Sequence, residues 1–477
     1  MGYVKGETPG QASLFPVSLD ELIAEDHPVR VIEAFVGALD LGDLGFERAE
    51  PTAMGRPAYD PADLLKLYLY GYLNRIRSSR RLERECRRNV EVMWLLGRLA
   101  PDFKTVADFR RRNGAAFVAV CRTFVRFCAR AKLLGGELVA IDGSKFPAVS
   151  SKRRVVTARS LEEEGRKLDV RIAQYLESLD AGDREEREEA VDRKAVAAAL
   201  QELRSRKADC ETALAVLREL DQTQHVVGEC EARLMRTAHG KAVAYNVQSA
   251  VDELHGLIVH HEVTAAGSDN AQLEPMAKQA QAVLGAATLS VVADAGYSNA
   301  AQFVACEEAG ITPYVPLNRG VNNKGDGSLY APASFAYDAS SDTCRCPAGK
   351  VLTLLQIHRT QLHRVYAAQA KDCATCPRKS QCTRAHRRLV QRHWHEDAFE
   401  RMSRRMAAAP DMMAKRRSLA EHPFGQIKYW VMGDARLLLR GLNGVRTEMA
   451  LAVLARNLKR VVNILGTRNL IARLATS

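Results

Sequence analysis

The stretch Leu289–Asn299, LSVVADAGYSN, constrains the fold more than any other part of the chain. A run of apolar and β-branched residues ends in one carboxylate, Asp294, followed by Ala-Gly-Tyr. That pattern reads as a buried strand that breaks into a loop at its C-terminal end. A charge in such a place is costly unless something pairs with it, and a bound cation is the usual partner. Capping of the next helix is the other reading. Val139–Phe146, VAIDGSKF, repeats the design: a short apolar strand, then Asp142, then Gly143. Two strands that each deliver one carboxylate to the same end of a sheet make a site for a hard divalent metal.

Length and charge narrow the setting. With 477 residues, 47% of them hydrophobic, the chain is expected to fold as two to four domains around a large core. It contains no apolar run of the roughly 18 residues a membrane span needs. Its first residues, MGYVKGETPGQ, lack an apolar signal core, so a cytoplasmic, nucleoid-associated protein is expected. The net charge of +12 and pI near 9.2 point to a polyanionic partner, and the charge is clustered. Gly71–Arg130 holds 15 Arg or Lys against 5 Asp or Glu. Eleven cysteines, an odd number, argue against a disulfide framework.

Taken in order, residues 1–134 read as an all-α domain. Tyr59-Asp60-Pro61-Ala62-Asp63 is a helix start, with Asp60 as cap and Pro61 at the first helical position. Leu65, Tyr68, Leu69, Tyr72 and Leu73 then mark one buried face. Glu91–Leu99 reads as a helix, residues 100–102 as a turn, and a second helix, capped by Thr105 and Asp108, carries Arg110, Arg111 and Arg112. This helix-turn-helix-like pair is read as a DNA contact, with a solvated basic face as the alternative.

Residues 135–477 alternate strands and helices. The Asp142 strand comes first, then a meander of 242–251 and 257–264. A helix over 271–283 leads into the Asp294 strand, and a helix over 299–308 and a strand at 313–316 follow. Two insertions interrupt them. Heptad-spaced apolar residues on both sides of a charged centre at 180–189 predict an antiparallel helical hairpin over 157–222, either a dimer contact or a solvated projection. Within 335–395 lie Cys344, Cys346, Cys373, Cys376 and Cys382. Four thiolates at such spacing, Cys346, Cys373, Cys376 and Cys382, suit a tetrahedral zinc ion; free buried thiols are the alternative. The order of elements predicts an α/β fold, a ribonuclease-H-like mixed sheet with flanking helices behind the all-α N-terminal domain.

A third carboxylate is expected near the C-terminal end. Arg384–Arg417 is again basic, and RSLAEHPFGQIK follows, with Glu421 and Lys428 seven residues apart, on one face if the segment is helical. Pro423 lacks an amide donor, so the last helix is expected to restart there.

At this point the sequence resembles the bacterial insertion-sequence DDE transposases. AIDGSKF matches the first Asp of that family, VVADAGYSN the second, and RSLAEHPFGQIK the Glu. The family spacing of Arg, three residues, Glu, six residues, Lys falls on Arg417, Glu421 and Lys428, while the Tyr usual three residues before the Arg is Ala414 here. Tyr245–Gln248, CPAGK at 346–350, Arg440–Leu442, Asn457-Leu458 and the segment YDPADLLKLYLYGYLNRIRSS agree as well. The resemblance implies a transposase that binds the terminal inverted repeats of its element and target DNA, as a homodimer on DNA. It implies cleavage and strand transfer by two-metal phosphoryl transfer, with Asp142, Asp294 and Glu421 holding Mg2+ or Mn2+. Arg417 and Lys428 would grip phosphates. A catalytically silent DNA-binding regulator derived from a transposase is the second reading, and a zinc hydrolase built on the cysteines a third.

Overall fold

The computed structural model describes residues 18–50, 57–184, 193–219, 221–317, 329–360 and 362–476. The chain divides into two compact units. Met1–Gly135, Asp142–Gly267 and Leu419–Ser477 form the first, and Gly136–Ile141 with Ser268–Ser418 the second.

In the first unit the N-terminal region is helical, with helices at Val29–Gly37, Pro61–Leu73, Ser79–Arg88, Val90–Leu95, Phe103–Arg112 and Gly114–Arg130. Asp60 caps the second of these by accepting from the amide of Ala62 at 2.7 Å. That helix is buried on most sides rather than along one face: Leu64, Leu67 and Tyr70 join Leu65, Tyr68, Leu69 and Tyr72 in the core. The cause is the long C-terminal helix Gly441–Leu465, itself buried from Val445 to Leu458 almost without interruption. A helix buried on all sides has to be surrounded, and helices 61–73 and 114–130 and the strand at 258–264 pack around it. Gly114 permits one close approach, since a Cβ there would lie 2.6 Å from Thr447 Oγ1. The same helix closes the edge of the meander. Asn457 donates to the carbonyl of Ile258 at 2.8 Å and accepts from its amide at 3.1 Å, as a neighbouring strand would.

The meander is antiparallel, Gly240–Asp252 pairing Arg233–Thr237 and, in the register Val247↔Val263, Ile258–Thr264. Two 27-residue helices, Ala158–Arg184 and Arg193–Glu219, pack along each other. Ion pairs Lys207–Asp169, Arg206–Glu164 and Arg218–Glu162 set them antiparallel. Leu161, Leu168, Leu200 and Leu217 are buried in their seam, whereas Tyr175, expected there, is 40% exposed. Part of the charged centre expected at 180–189 lies outside the described residues.

The second unit holds the parallel part of the sheet. Leu138–Ala140 pairs Leu289–Val292 in the register Val139↔Val291, and Leu289–Val292 pairs Ile311–Tyr314. Helices Leu273–Leu284 and Ala300–Glu308 flank it. Beyond these lies a separate antiparallel sheet of five strands between Ala336 and His393. The main sheet has the strand order 233–237, 240–252, 138–147, 289–292, 311–314, with 258–264 also on 240–252. The class is thus mixed α/β behind a helical N-terminal region, as the element order predicts. Among the described residues no helix is long and apolar enough to cross a membrane.

Candidate active site

The two aspartates leave neighbouring parallel strands. In the register Ala140↔Val292, Asp142 and Asp294 each come two residues further along their strands. Val291, Val292 and Ala293 are buried, and the chain reaches solvent at Asp294. There Asp294 Oδ1 accepts from the amide of Gly296 at 2.8 Å and caps the short turn Ala295–Tyr297. A Cβ at residue 296 would come within 2.9 Å of that oxygen, so a larger residue there would push the carboxylate aside. The helix that follows has its own cap, Asn299, whose Oδ1 accepts from the amide of Ala301 at 3.0 Å. Capping therefore accounts for one oxygen of Asp294. The other, Oδ2, lies 3.6 Å from Arg416 Nη2; the Asp294 side chain is 44% exposed and that of Arg416 12%.

Arg416, which the sequence reading did not single out, is thus the arginine beside Asp294. Arg417 is exposed. A run of two arginines gives no sign of which one turns inward, because consecutive helical residues point about 100° apart.

Asp142, Ser144 and Phe146 alternate along the strand Leu138–Pro147, so they stand on one face of it. Lys428 lies over that face. Its Nζ donates to Ser144 Oγ at 2.7 Å and sits 4.9 Å from the centre of the Phe146 ring. Partial burial pushes the Lys428 ammonium below its ordinary pKa, and the charge of Asp142 opposes that shift. The ammonium is held in place by a hydroxyl and a ring face.

Glu421 is exposed on the helix Met412–Gly425. The expected restart at Pro423 is corrected. The helix runs through Pro423 and continues as a π-helical turn, Gln426–Val431. Ala420, Pro423, Phe424, Ile427 and Val431 are buried along it, and this packing outweighs the proline's cost of about 3 kcal/mol in a helix interior. The wider turn shifts the phase after residue 426, so Glu421 and Lys428 do not share a strict α-helical face.

The arginine run is also corrected at one position. The helix Phe103–Arg112 is capped by Asp102, not by Thr105 or Asp108. Val106, Phe109 and Arg110 face inward. Arg110 is 8% exposed, with its guanidinium 5.3 Å from the Tyr68 ring centre and donating to the carbonyl of Arg77 at 3.3 Å. It is a core cation in this structure. Arg111 and Arg112 project outward, with side chains 73% and 46% exposed. The earlier helix Ser79–Arg88 presents five more exposed arginines: Arg80, Arg81, Arg84, Arg87 and Arg88. Their SRRLERECRR pattern, apolar only at Leu82 and Cys86, was the signal available in the sequence.

Cys346, Cys373, Cys376 and Cys382 line one pocket of about 30 Å3. The Cys382 thiol is pushed up by burial and by the other three. Cys344 does not line it; it is buried in the strand Thr343–Arg345. Among the described residues no three or more His, Cys, Asp or Glu are grouped so that they could hold a metal ion. By donor chemistry alone, the carboxylates suit a hard cation and the four thiols zinc.

Residues 17–112 match the family described as a transposase domain (DUF772), and residues 231–458 match the transposase DDE domain. The chain belongs to the DDE transposases. The two matched stretches hold Asp294, Arg416, Glu421 and Lys428 in the second and the arginine-rich helices in the first; Asp142 lies between them. DDE transposases generally use divalent metal ions. A solved structure, a piggyBac transposase synaptic complex with hairpin DNA, is similar at 7% identity and a TM-score of 0.34, over 94% of this chain and 79% of that one. A likeness of that degree adds nothing to the site. No curated protein matches.

Proposed function

We propose that this transposase binds the terminal inverted repeats of its own element, as a homodimer in the cytoplasm, and cuts and joins DNA there with Asp142, Asp294 and Glu421. The observation that carries the reading is the register of the two strands: both aspartates follow the paired positions Ala140 and Val292 by two residues. Magnesium or manganese held by the three carboxylates would supply charge stabilisation at the attacking and leaving oxygens of the phosphodiester. The chain's own residues do the rest. Lys428, fixed by Ser144 and Phe146, offers a preplaced cation for a phosphate oxygen. Arg416 stands beside the Asp294 carboxylate and steadies its position. Arg417, exposed, contacts the DNA backbone. Purified protein given duplexes carrying the element's ends is expected to nick them only when a divalent metal is added; nicking in chelator would overturn the reading.

Affinity for the ends comes from the arginine-rich helices. Taking one cation away from a phosphate lowers the slope of log K against log salt by about 0.9. Arg111→Gln with Arg112→Gln is therefore expected to flatten the slope by up to about 2. Arg110→Gln should leave the slope alone and lower stability instead, since that guanidinium is buried. Gel shifts at several salt concentrations read both, and an unchanged slope for the double variant would place DNA binding elsewhere on the protein.

The four-cysteine pocket is proposed to hold one structural zinc ion. Protein purified without chelator is expected to carry about one equivalent, and Cys376→Ser to carry far less. Metal-free protein with four titratable thiols would leave them as free cysteines.

A further inference from the structure

Trp430 and Tyr429 stand out on the surface of the first unit. They are 55% and 62% exposed, the two most exposed aromatic side chains among the described residues. Both belong to the π-helical turn Gln426–Val431, a kind of distortion found mostly where a helix has a functional task. The neighbours Ile427 and Val431 are buried, so the turn is anchored while its two aromatics face water. Trp430 borders a groove with Gln426, Val431, Arg456, Lys459, Arg460 and Asn463. Three of these are cations, two are amides, and none is a carboxylate.

The groove is held rigid from behind. Arg456 donates to Gln426 Oε1 at 3.0 Å and to the carbonyl of Gly256. Arg460 Nε donates to the carbonyl of His255 at 2.8 Å. Arg75 Nε donates to the carbonyl of Trp430 at 2.9 Å, which pins the turn and adds a fourth cation beside it. Lys459 and Arg460 are exposed, and Lys459 forms no ion pair among the described residues. The groove is separate from the Lys428 position. Lys428 points to Ser144 and Phe146, whereas Trp430, two residues on, turns to the C-terminal helix.

We propose that this groove binds an unpaired stretch of a DNA strand, one base stacking on Trp430 and the adjacent phosphates lying on Lys459 and Arg460. A flat aromatic beside cations fits a base and its phosphate. Amides such as Gln426 and Asn463 match the polar edge of a base, whereas a basic partner would be repelled by the cations and a purely apolar one would leave them uncompensated. The inference rests on DNA as the substrate but not on the carboxylates, so cleavage does not enter its test.

The probe is a labelled oligothymidylate of about 16 nucleotides, followed by anisotropy at low salt, with a blunt duplex of equal length beside it. Stacking contributes about 1–3 kcal/mol per base, so Trp430→Ala is expected to weaken strand binding about 5- to 150-fold. Trp430→Phe should retain most of it, and blunt-duplex binding should change little in either. In a Trp94→Phe, Trp394→Phe background Trp430 is the sole tryptophan, and its emission should be quenched as the strand saturates. Equal strand affinities for Trp430→Ala and Trp430→Phe overturn the proposal, and so does saturation without quenching. Binding of neither DNA would sink the DNA reading together with it.

Discussion

Asp294→Asn is expected to bind the element's ends as the unaltered protein does, and to cut them about a thousandfold more slowly or not at all. The substitution keeps the shape of the side chain and its bond to the Gly296 amide, an acceptor role that an amide oxygen fills as well. What it removes is one negative charge at the end of a buried strand. Charge stabilisation of a transferring phosphoryl group by metal ions is worth several kcal/mol, and each 1.36 kcal/mol is tenfold in rate. Binding should be spared, because the arginines proposed to carry it lie on 79–88 and 103–112. Arg416→Ala is the informative companion. It leaves the carboxylate but removes its cation at 3.6 Å, and a half-exposed pair of that length contributes little by itself. It should therefore slow cutting much less than Asp294→Asn. A cleavage assay beside a gel shift on the same DNA reads both quantities. Cutting at the normal rate by Asp294→Asn would remove this residue from the reaction, and a matching loss of binding would make it a structural residue.

The aspartates were legible because a strand has a period of two and a buried end. VVAD and VAID each show an apolar run that a carboxylate terminates, and the parallel register aligns their ends. Ser144 was legible by the same arithmetic, two residues from Asp142, but its partner Lys428 was not: nothing in the sequence says that a lysine 284 positions away reaches it. Arg110 could have been placed from the sequence. It lies four residues after Val106 and one after Phe109, on the apolar side of its helix, and three consecutive arginines cannot share a face. The helix through Pro423 was not legible, since local propensity argues for a break and the tertiary burial of Phe424, Ile427 and Val431 overrides it. The π turn after it carries no sequence signature at all.

Glu448→Ala is expected to destabilise the first unit by about 3–5 kcal/mol, the cost of stranding one partner of a buried ion pair. Glu448 is fully buried on the central helix of the first unit, Gly441–Leu465, and Arg77 is 8% exposed, with 2.8 Å between Nη1 and Oε1. The other oxygen of Glu448 accepts from the amides of Leu438 at 2.9 Å and Leu439 at 3.1 Å. Arg77 also donates to the carbonyls of Arg436 and Asp434. One carboxylate thus ties the arginine-rich region to the loop that leads into the central helix. Alanine would leave a guanidinium and two amide donors without that acceptor. Glu448→Gln keeps an acceptor for the amides and loses the charge, so it should fall between. Arg77→Met combined with Glu448→Leu removes both charges and should recover much of the loss, although the amides of Leu438 and Leu439 stay unpaired in it. Urea denaturation of the four proteins gives the midpoints. A loss below about 1 kcal/mol in Glu448→Ala, against the several expected for a stranded buried charge, would mean that water reaches Arg77. A double variant no more stable than Glu448→Ala would mean that the backbone bonds of Glu448, rather than its charge, hold the loop.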